Sequence, residues 1–385
     1  MWIAAVVLWL LTSPFYIWNI SSVSDLIWRA ITLSILSICL ISNSDKELTK
    51  RTKGLRILFF VTFSYYLFIP TIHGVYTFLG FISLCFSLCL VFFIGVKKSY
   101  LQSVFQVFAF IFSVSLLLSL ISWILWNTGR LSLINMLVSY EDRTYYHFPF
   151  LIIEQTDIRE LEQTIRFAGC YDEPGVVGTF CAMILCVNKF YLKKFSSIVC
   201  LLAGCASLSL FFFLTLAIYG VMYSIIVKRN YLIPLLFAIG LFAFYSYTKD
   251  EVVFYETLWR RFEFDDSEKK FMGDNRMTYE GEMYYKNMST ADYLFGGDYP
   301  TYIKKAKGSS SYKTVVVKNG AIFLVLYLLF FVLYGRKFRE KYISFLLYLI
   351  VLFGNIYQRP DIFGIVTTFL YVCMARNILS DNSRK

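Results

Sequence analysis

Long apolar runs recur from one end of this sequence to the other, and they constrain the fold more than any other feature. A transmembrane helix needs about 20 consecutive apolar residues, and residues 101–126 alone provide such a run. Only 16% of the 385 residues are charged, whereas a soluble chain carries about a quarter. A transmembrane β-barrel would show short alternating strands instead. The sequence therefore predicts an all-α polytopic membrane protein.

Basic residues cluster in the short loops between these runs, and their positions predict the topology. The clusters lie at residues 46–56, 97–98, 193–194, 228–229 and 336–341. Short loops rich in Lys and Arg stay in the cytoplasm, which gives about twelve transmembrane helices with both termini inside. The loops explain the formal net charge of +11, so this charge does not indicate a nucleic-acid partner.

One apolar run, residues 196–227, is too long for a single span. As one helix it would measure about 48 Å, against a hydrocarbon core of about 30 Å. Basic residues flank both of its ends, so we predict a hairpin that turns at Ser207-Leu208-Ser209. The other predicted spans are 1–20, 26–42, 57–72, 75–95, 101–126, 176–190, 231–247, 314–334, 342–355 and 362–377.

Two long polar segments interrupt the single membrane domain, which covers residues 1–385. The segments are residues 127–173 and 248–313, and together they hold 20 of the 26 acidic residues. The topology places both segments outside the cytoplasm. The second is too short and too charged for an independent core. We expect it to fold back over the bundle as short helices, one of them at 277–288.

A charged run at the end of the first polar segment is the strongest candidate site. Arg166 could bind a diphosphate bidentately or extend to lipid headgroups as an ordinary interfacial arginine. Asp172 or Glu173 could cap the next span, and Glu173 could also deprotonate an acceptor hydroxyl. Gly169 lacks a side chain and would allow backbone or ligand to approach closely.

The second polar segment offers further cations and aromatic rings. Arg276 precedes the predicted helix and could bind phosphate, or it could be a solvated residue at a helix start. Lys313 is the last of a group of lysines in this segment. Because the segment is predicted to lie outside the cytoplasm, these lysines are contrary to the positive-inside trend. Their position favours an anionic ligand over a headgroup contact. Tyr312 and the other tyrosines of the segment could stack on sugars, although an aromatic belt would explain them equally well.

The sequence lacks common motifs for phosphate binding, metal-dependent hydrolysis and serine nucleophiles. It contains no phosphate-binding GxxxxGK[ST] loop, no HExxH and no GxSxG nucleophile elbow. The nine cysteines show neither disulfide nor CxxC metal spacing, and the two histidines are far apart. We therefore expect no metal and no cofactor.

Three stretches resemble the O-antigen polymerases (Wzy-type) of the O-antigen ligase/polymerase superfamily. Arg166-Phe167-Ala168-Gly169, with Glu173-Pro174-Gly175 and Gly178, resembles the arginine–glycine–EPG signature that begins a central span in those polymerases. Leu208-Ser209-Leu210 resembles their serine-containing turn, and Ser309–Gly320 resembles the segment that leads into the span after the large loop. Tyr357-Gln358-Arg359-Pro360 also fits. O-antigen ligases usually carry a histidine at the position of Ser309, so the serine favours a polymerase.

The resemblance implies a metal-independent, inverting glycosyltransferase without cofactors in the bacterial inner membrane, with its active site facing the periplasm. It would polymerise undecaprenyl-diphosphate-linked oligosaccharide repeat units into O-antigen or related surface polysaccharide. Arg166 and Arg276 would bind the diphosphate, and Glu173 would accept the proton of the acceptor. Gly169, Asp172, Tyr312, Lys313 and Arg359 would bind substrate. The partners would be the two lipid-linked substrates, membrane lipid, a chain-length regulator and a flippase.

Three alternatives remain at this stage, and the least specific of them is a membrane scaffold protein of an envelope complex. A ligase-like glycan transferase would differ mainly in its acceptor. A polysaccharide-lipid transporter should show internal repeats with helices broken at matching positions in two halves, and the sequence shows no such halves.

Overall fold

The structure of the chain is a computed structural model. It describes residues 1–15, 22–138, 144–154, 166–227, 229, 231–251, 255, 259–265, 270–271, 277–306, 311–339, 341–358 and 360–379.

Most of the described residues form α-helices joined by short turns. The helices are Trp2–Leu10 (α1), Ser22–Ser42 (α2), Lys46–Arg51 (α3), Lys53–Ile72 (α4), Phe78–Phe86 (α5), Leu90–Phe93 (α6), Lys98–Asn127 (α7), Pro174–Val187 (α8), Phe195–Ala206 (α9), Leu210–Met222 (α10), Leu232–Thr248 (α11), Tyr279–Lys286 (α12), Thr290–Phe295 (α13), Tyr299–Lys305 (α14), Tyr312–Phe338 (α15), Tyr342–Gln358 (α16) and Ile365–Ala375 (α17).

Four helices within the described residues are long and apolar enough to cross a membrane. They are Asp25–Ser42, Lys53–Ile72, Lys98–Asn127 and Tyr312–Phe338. Shorter apolar helices occupy most of the other predicted spans. The prediction of a helical membrane protein is thus confirmed, while the count of twelve spans stays a prediction.

The outward faces of the long helices are apolar, as contact with lipid requires. In α2, Ile31 and Ile38 are 46% and 66% exposed. In α4, Ile57, Phe60 and Phe68 are also exposed. A soluble protein rarely exposes large contiguous apolar patches, so these faces support insertion in a bilayer.

Helix α8 lies at the centre of the bundle and packs against α9, α10 and α17. Nearly all of its side chains are buried, as expected for a helix that is apolar on every side. These four helices are short, with 14, 12, 13 and 11 residues. At 1.5 Å per residue they measure only about 16–21 Å.

The predicted hairpin in residues 196–227 is confirmed. Helix α9 ends at Ala206 and α10 begins at Leu210. Between them Leu208 adopts a φ of +48°, which reverses the chain. The length argument therefore located the turn correctly.

Two predicted spans differ from the structure. The prediction of one helix over residues 1–20 is wrong, because α1 ends at Leu10 and Ser13 has a φ of +56°. Pro14 gives the reason, since a proline disfavours helical conformation at the preceding residue. The span predicted at 75–95 is interrupted by the 3₁₀ turn Ser87–Cys89 between α5 and α6.

The first polar segment contains a small antiparallel sheet, so the prediction of an exclusively helical chain is wrong here. Strand Thr144–Phe148 (β2) pairs with Asn135–Val138 (β1) on one side and with Leu151–Glu154 (β3) on the other. Aromatic and β-branched residues, which favour strands, fill β2 and β3. The ring of Phe148 packs on Trp126 at the end of α7, which attaches the sheet to the bundle.

The described part of the second polar segment folds largely into short helices, as expected. The helix predicted at 277–288 is observed as α12, and α13 and α14 follow it. A two-stranded pairing of Phe264–Asp265 (β4) with Lys270–Phe271 (β5) precedes them. The three helices and the segments around them form a cap with its own small core of Met277, Tyr302, Ala306 and Val317. We refer to residues 277–306 as the cap.

Backbone contacts, together with side-chain contacts, attach the cap to the bundle. The amide of Gly297 donates to the carbonyl of Val317 in α15 (2.8 Å), and His73 donates from Nδ1 to the carbonyl of Gly297 (3.1 Å). At Gly320 the helical conformation of α15 is interrupted, with φ +84° and ψ +158°. A Cβ at this position would lie 2.7 Å from the carbonyl carbon of Leu294, so only glycine allows the two backbones to come this close.

The basic loops meet at the opposite end of the bundle. The amide of Asp45 donates to the carbonyl of Gly95 (2.8 Å). Arg376 bonds to the carbonyl of Val96, and Lys337 bonds to the carbonyl of Arg51. The basic clusters at 46–56, 97–98 and 336–341, which the charge pattern assigned to one side of the membrane, are therefore neighbours, and we call this the basic end.

Candidate functional site

The run that begins at Arg166 is docked on the turn of the α9–α10 hairpin. Arg166 donates from Nε to the carbonyl of Ser207 (3.3 Å), and the amide of Phe167 donates to the carbonyl of Ala206 (3.0 Å). Two of the stretches singled out in the sequence, about forty residues apart, thus lie in contact. They meet at the end of the bundle opposite the basic end.

Two glycines of this run permit close packing between protein segments. Gly169 has a φ of +64°, and a Cβ there would lie 3.3 Å from Cβ of Ser119 in α7. Its carbonyl accepts the amide of Ile152 in β3 (2.8 Å). A Cβ on Gly178 would lie 2.6 Å from Oγ of Ser209. Protein atoms occupy the space that these glycines leave open.

Glu173 occupies the N-cap position of α8 without capping it. Its backbone is extended, Pro174 follows at the first helical position, and no helix amide donates to its carboxylate. Pro174 is well suited to the first turn because it lacks the amide that would otherwise need a partner. The carboxylate is therefore not used as a helix cap, in contrast to the alternative considered from the sequence.

Cys170, inside the same run, is not suited to nucleophilic chemistry. All nine cysteines lie within the described residues and none forms a disulfide. Burial raises the pKa of the Cys170 thiol to about 11. Since the thiolate is the reactive form, the chemistry of the run depends on its arginine and carboxylates.

Asp172 lines a cavity of about 380 Å³ at the same end of the bundle. The other charged side chains in the lining are Arg29 of α2 and Asp361, which precedes α17. Tyr66 of α4 and Ser13 add hydroxyl groups. This cavity, called the Asp172 cavity below, brings two carboxylates, one guanidinium and several hydroxyls together among apolar side chains.

The two other charged side chains of the cavity are each held by a hydrogen bond. Arg29 donates from Nε to Asp25 (2.8 Å) one turn earlier in α2. Thr367 donates to the carboxylate of Asp361 (2.5 Å). A side chain at Gly364 would collide with this carboxylate. The sequence analysis missed both Arg29 and Asp361, although a charged residue next to the run Ile362–Ala375 was a usable signal.

Tyr312 and the outer turn at Tyr357 are also brought together. Their rings stack with centroids 6.0 Å apart and planes inclined by 24°. Tyr312 begins α15 and Tyr357 lies near the end of α16. The structure thus joins two of the stretches that carried the resemblance.

Lys313 forms an ion pair with Glu282 of the cap. Its ammonium group also lies 5.6 Å from the ring centroid of Tyr285. An anionic ligand would have to compete with the Glu282 carboxylate for Lys313. The pair connects α12 to α15, which gives Lys313 a clear structural role.

Lys318 is a second lysine of α15, and the sequence analysis gave it no role. Its ammonium group lies 4.6 Å from the ring centroid of Tyr76 and 5.3 Å from that of Tyr299. Among the described residues no carboxylate pairs with it. Ionisable residues inside membrane helices are costly and usually functional, and a lysine four residues inside the predicted span 314–334 was the signal for it.

Arg276 and Arg359 lie outside the described residues. Arg276 immediately precedes Met277, a residue of the cap core. Arg359 lies between Tyr357 and Asp361 in the chain. Their assignments as anion ligands stay predictions.

Comparisons with protein-family models, with curated proteins and with solved structures gave no match to this chain.

Proposed function

We propose that the protein polymerises lipid-diphosphate-linked oligosaccharide repeat units into O-antigen or related surface polysaccharide at the outer face of the bacterial inner membrane. One observation carries the proposal. In the run 166–173, Arg166 donates to the α9–α10 turn and Asp172 lines a polar cavity. Both residues lie at the end of the bundle opposite the basic end. Because basic loops remain in the cytoplasm, this end faces the periplasm.

The lengths of the central helices suit a substrate anchored in the bilayer. Helices α8, α9, α10 and α17 measure about 16–21 Å, against a hydrocarbon core of about 30 Å. With their inner ends at the inner boundary, their outer ends lie about 10 Å below the outer boundary. A lipid-linked substrate could then bring its diphosphate to Arg166 and its sugar to the Asp172 cavity from the outer leaflet, while its lipid chain stays in the membrane.

The residues suit an inverting glycosyl transfer. The bond between the anomeric carbon and the diphosphate oxygen breaks as a bond to the acceptor hydroxyl oxygen forms. Arg166, with Arg276 as the second predicted ligand, stabilises the charge that develops on the departing diphosphate. A carboxylate, Glu173 in our assignment, takes the proton of the acceptor. The membrane confines both substrates to two dimensions, which favours their encounter.

Complementation of a deletion strain tests the proposal. We expect Arg166→Ala and Glu173→Ala to leave lipopolysaccharide with single repeat units but no ladder of longer chains. Arg130→Ala and Glu251→Ala are the matched controls, because both residues are exposed and lie in or beside the polar segments. Both should give the full ladder.

The readout distinguishes the alternatives. A normal ladder from Arg166→Ala, at equal protein level in the membrane, would refute the site assignment. Loss of single repeat units together with the ladder in the deletion strain would instead indicate a ligase. Accumulation of lipid-linked repeat units on the cytoplasmic side would indicate a transporter.

A further inference from the structure

A groove of about 470 Å³ lies on the cap, separate from the Asp172 cavity. Side chains of α12 and α13 form most of it, and Lys305 closes one side. Its volume falls in the range of small-molecule sites, about 300–1,000 Å³. We call it the Tyr279 groove.

Two tyrosine rings form the aromatic part of the groove. Tyr279, at the start of α12, is 72% exposed. Tyr284 is held in place, because its hydroxyl donates to the carbonyl of Asp298 (3.0 Å) and its ring packs edge-on against buried Tyr302. A ring fixed in advance loses little conformational freedom when a ligand binds.

Other tyrosines of the segment are engaged with protein. Tyr302 lies in the cap core. Tyr299 lies under Lys318, and Tyr312 stacks on Tyr357. Of these five tyrosines, Tyr279 and Tyr284 are the two that line the groove. They are therefore the candidates for stacking on a sugar, whereas the other three pack against protein.

The polar groups of the groove favour a ligand rich in hydroxyls over an anion. Glu280 and Asp292 contribute two carboxylates, against one ammonium group from Lys305. The net negative charge disfavours phosphate and anionic lipid headgroups. Carboxylates accept hydrogen bonds from hydroxyls, and the amide of Asn287 both donates and accepts. The apolar face of a sugar ring can stack on an aromatic ring, and its hydroxyls can bind polar side chains. The groove offers both kinds of contact.

We propose that the Tyr279 groove is a glycan-binding site that holds the oligosaccharide at a distance from its lipid end. Tyr279 and Tyr284 stack on sugar rings, and Asp292 and Asn287 bind hydroxyls. The identification of this glycan as the oligosaccharide of the lipid-linked repeat unit rests on the proposed function. The groove itself binds sugar and requires no diphosphate.

Direct binding tests this proposal with the full chain in detergent. The probe is an oligosaccharide of one to three repeat units, released by mild acid from the surface polysaccharide of the host and therefore free of lipid and diphosphate. Binding is measured by calorimetry and by saturation-transfer NMR. We expect Tyr279→Ala and Asp292→Asn each to weaken binding about threefold to tenfold, as expected for loss of one aromatic or charged contact.

Tyr342→Ala is the matched control. Tyr342 is 71% exposed, almost the same as Tyr279, but lies beside the basic loop at the opposite end. It should bind like the unmodified protein. Equal affinity of Tyr279→Ala, Asp292→Asn and the control would overturn the proposal, and so would displacement of the oligosaccharide by vesicles of anionic phospholipid.

The two proposals can fail separately. If Arg166→Ala abolishes the ladder but still binds the free oligosaccharide, while Tyr279→Ala loses that binding, both are supported. If Arg166→Ala makes a normal ladder while Tyr279→Ala loses oligosaccharide binding, the groove stands and the polymerase site is wrong. If no variant changes oligosaccharide binding, the groove is wrong whatever the ladder shows.

Discussion

Gly320→Ala should weaken the attachment of the cap, because backbone strain and steric overlap would both lower the stability of the protein. The φ of +84° with ψ of +158° is a conformation that essentially only glycine adopts, and strain of this kind costs about 1–3 kcal/mol. The new Cβ would also lie 2.7 Å from the carbonyl carbons of Leu294 and Phe295. Overpacking of this kind adds about 1–3 kcal/mol.

The two effects together lower the free energy of unfolding by about 2–6 kcal/mol. For a chain of this size, 1 kcal/mol shifts the melting temperature by about 2 °C, so a decrease of about 4–12 °C is expected. Thermal unfolding of the purified protein in detergent measures it. Gly240→Ala is the control, because its Cβ would meet nothing within 4 Å and alanine is the better helix former by about 1 kcal/mol.

A melting temperature for Gly320→Ala within about 2 °C of the control would refute this reasoning. A second variant tests whether the crossing of the two backbones is the cause. Gly296 has a φ of +92°, and its Cβ would lie 3.0 Å from the carbonyl oxygen of Lys318. Since both glycines serve one contact, the double variant should lose less stability than the sum of the single variants.

Two further predictions concern charges of the cap and of α15. Asp298 caps α14, and hydrogen bonds from Thr301 lower the pKa of its carboxyl below the usual value. Asp298→Ala should therefore lower the free energy of unfolding by about 1 kcal/mol at neutral pH. The difference in melting temperature between the variant and the unmodified protein should shrink as the pH falls through that lowered pKa, because the protonated carboxyl no longer makes the favourable cap. Glu282 already neutralises Lys313, whereas within the described residues the ammonium group of Lys318 has only the rings of Tyr76 and Tyr299 as partners. Under the proposed function Lys318 would therefore be the better anion ligand of the two, and Lys318→Met should shorten the polysaccharide ladder more than Lys313→Met does. Equal ladders from the two variants would contradict this prediction.

Hydropathy and charge predicted the membrane-embedded part of the fold well. The long helices, the α9–α10 hairpin and the convergence of three basic loops all follow from run length and from the position of lysines and arginines. These properties act locally or through the bilayer, so one sequence displays them directly. Pro14 indicates the break after Leu10, whereas the apolar residues around it favour a continuous span.

The sheet at 135–154 and the partners of the site residues were harder to predict. The strands are only four or five residues long, too short for alternation to stand out in a polar segment. The pair Lys313–Glu282 and the contact of Arg166 with Ser207 join residues more than thirty positions apart. Spacing along the chain carries no information about such contacts, and only the structure shows that Asp361 lines the same cavity as Asp172.

The backbone attachment of the cap has a consequence for how such a chain can evolve. The amide of Gly297 bonds to a carbonyl of α15, and Gly320 admits the backbone of α13. Neither contact depends on the side chains that surround it. Substitutions on the exposed face of the cap, including the Tyr279 groove, can therefore accumulate while the attachment persists. If the Tyr279 groove binds glycan as proposed, a change of glycan would require substitutions there and no redesign of the membrane-embedded bundle.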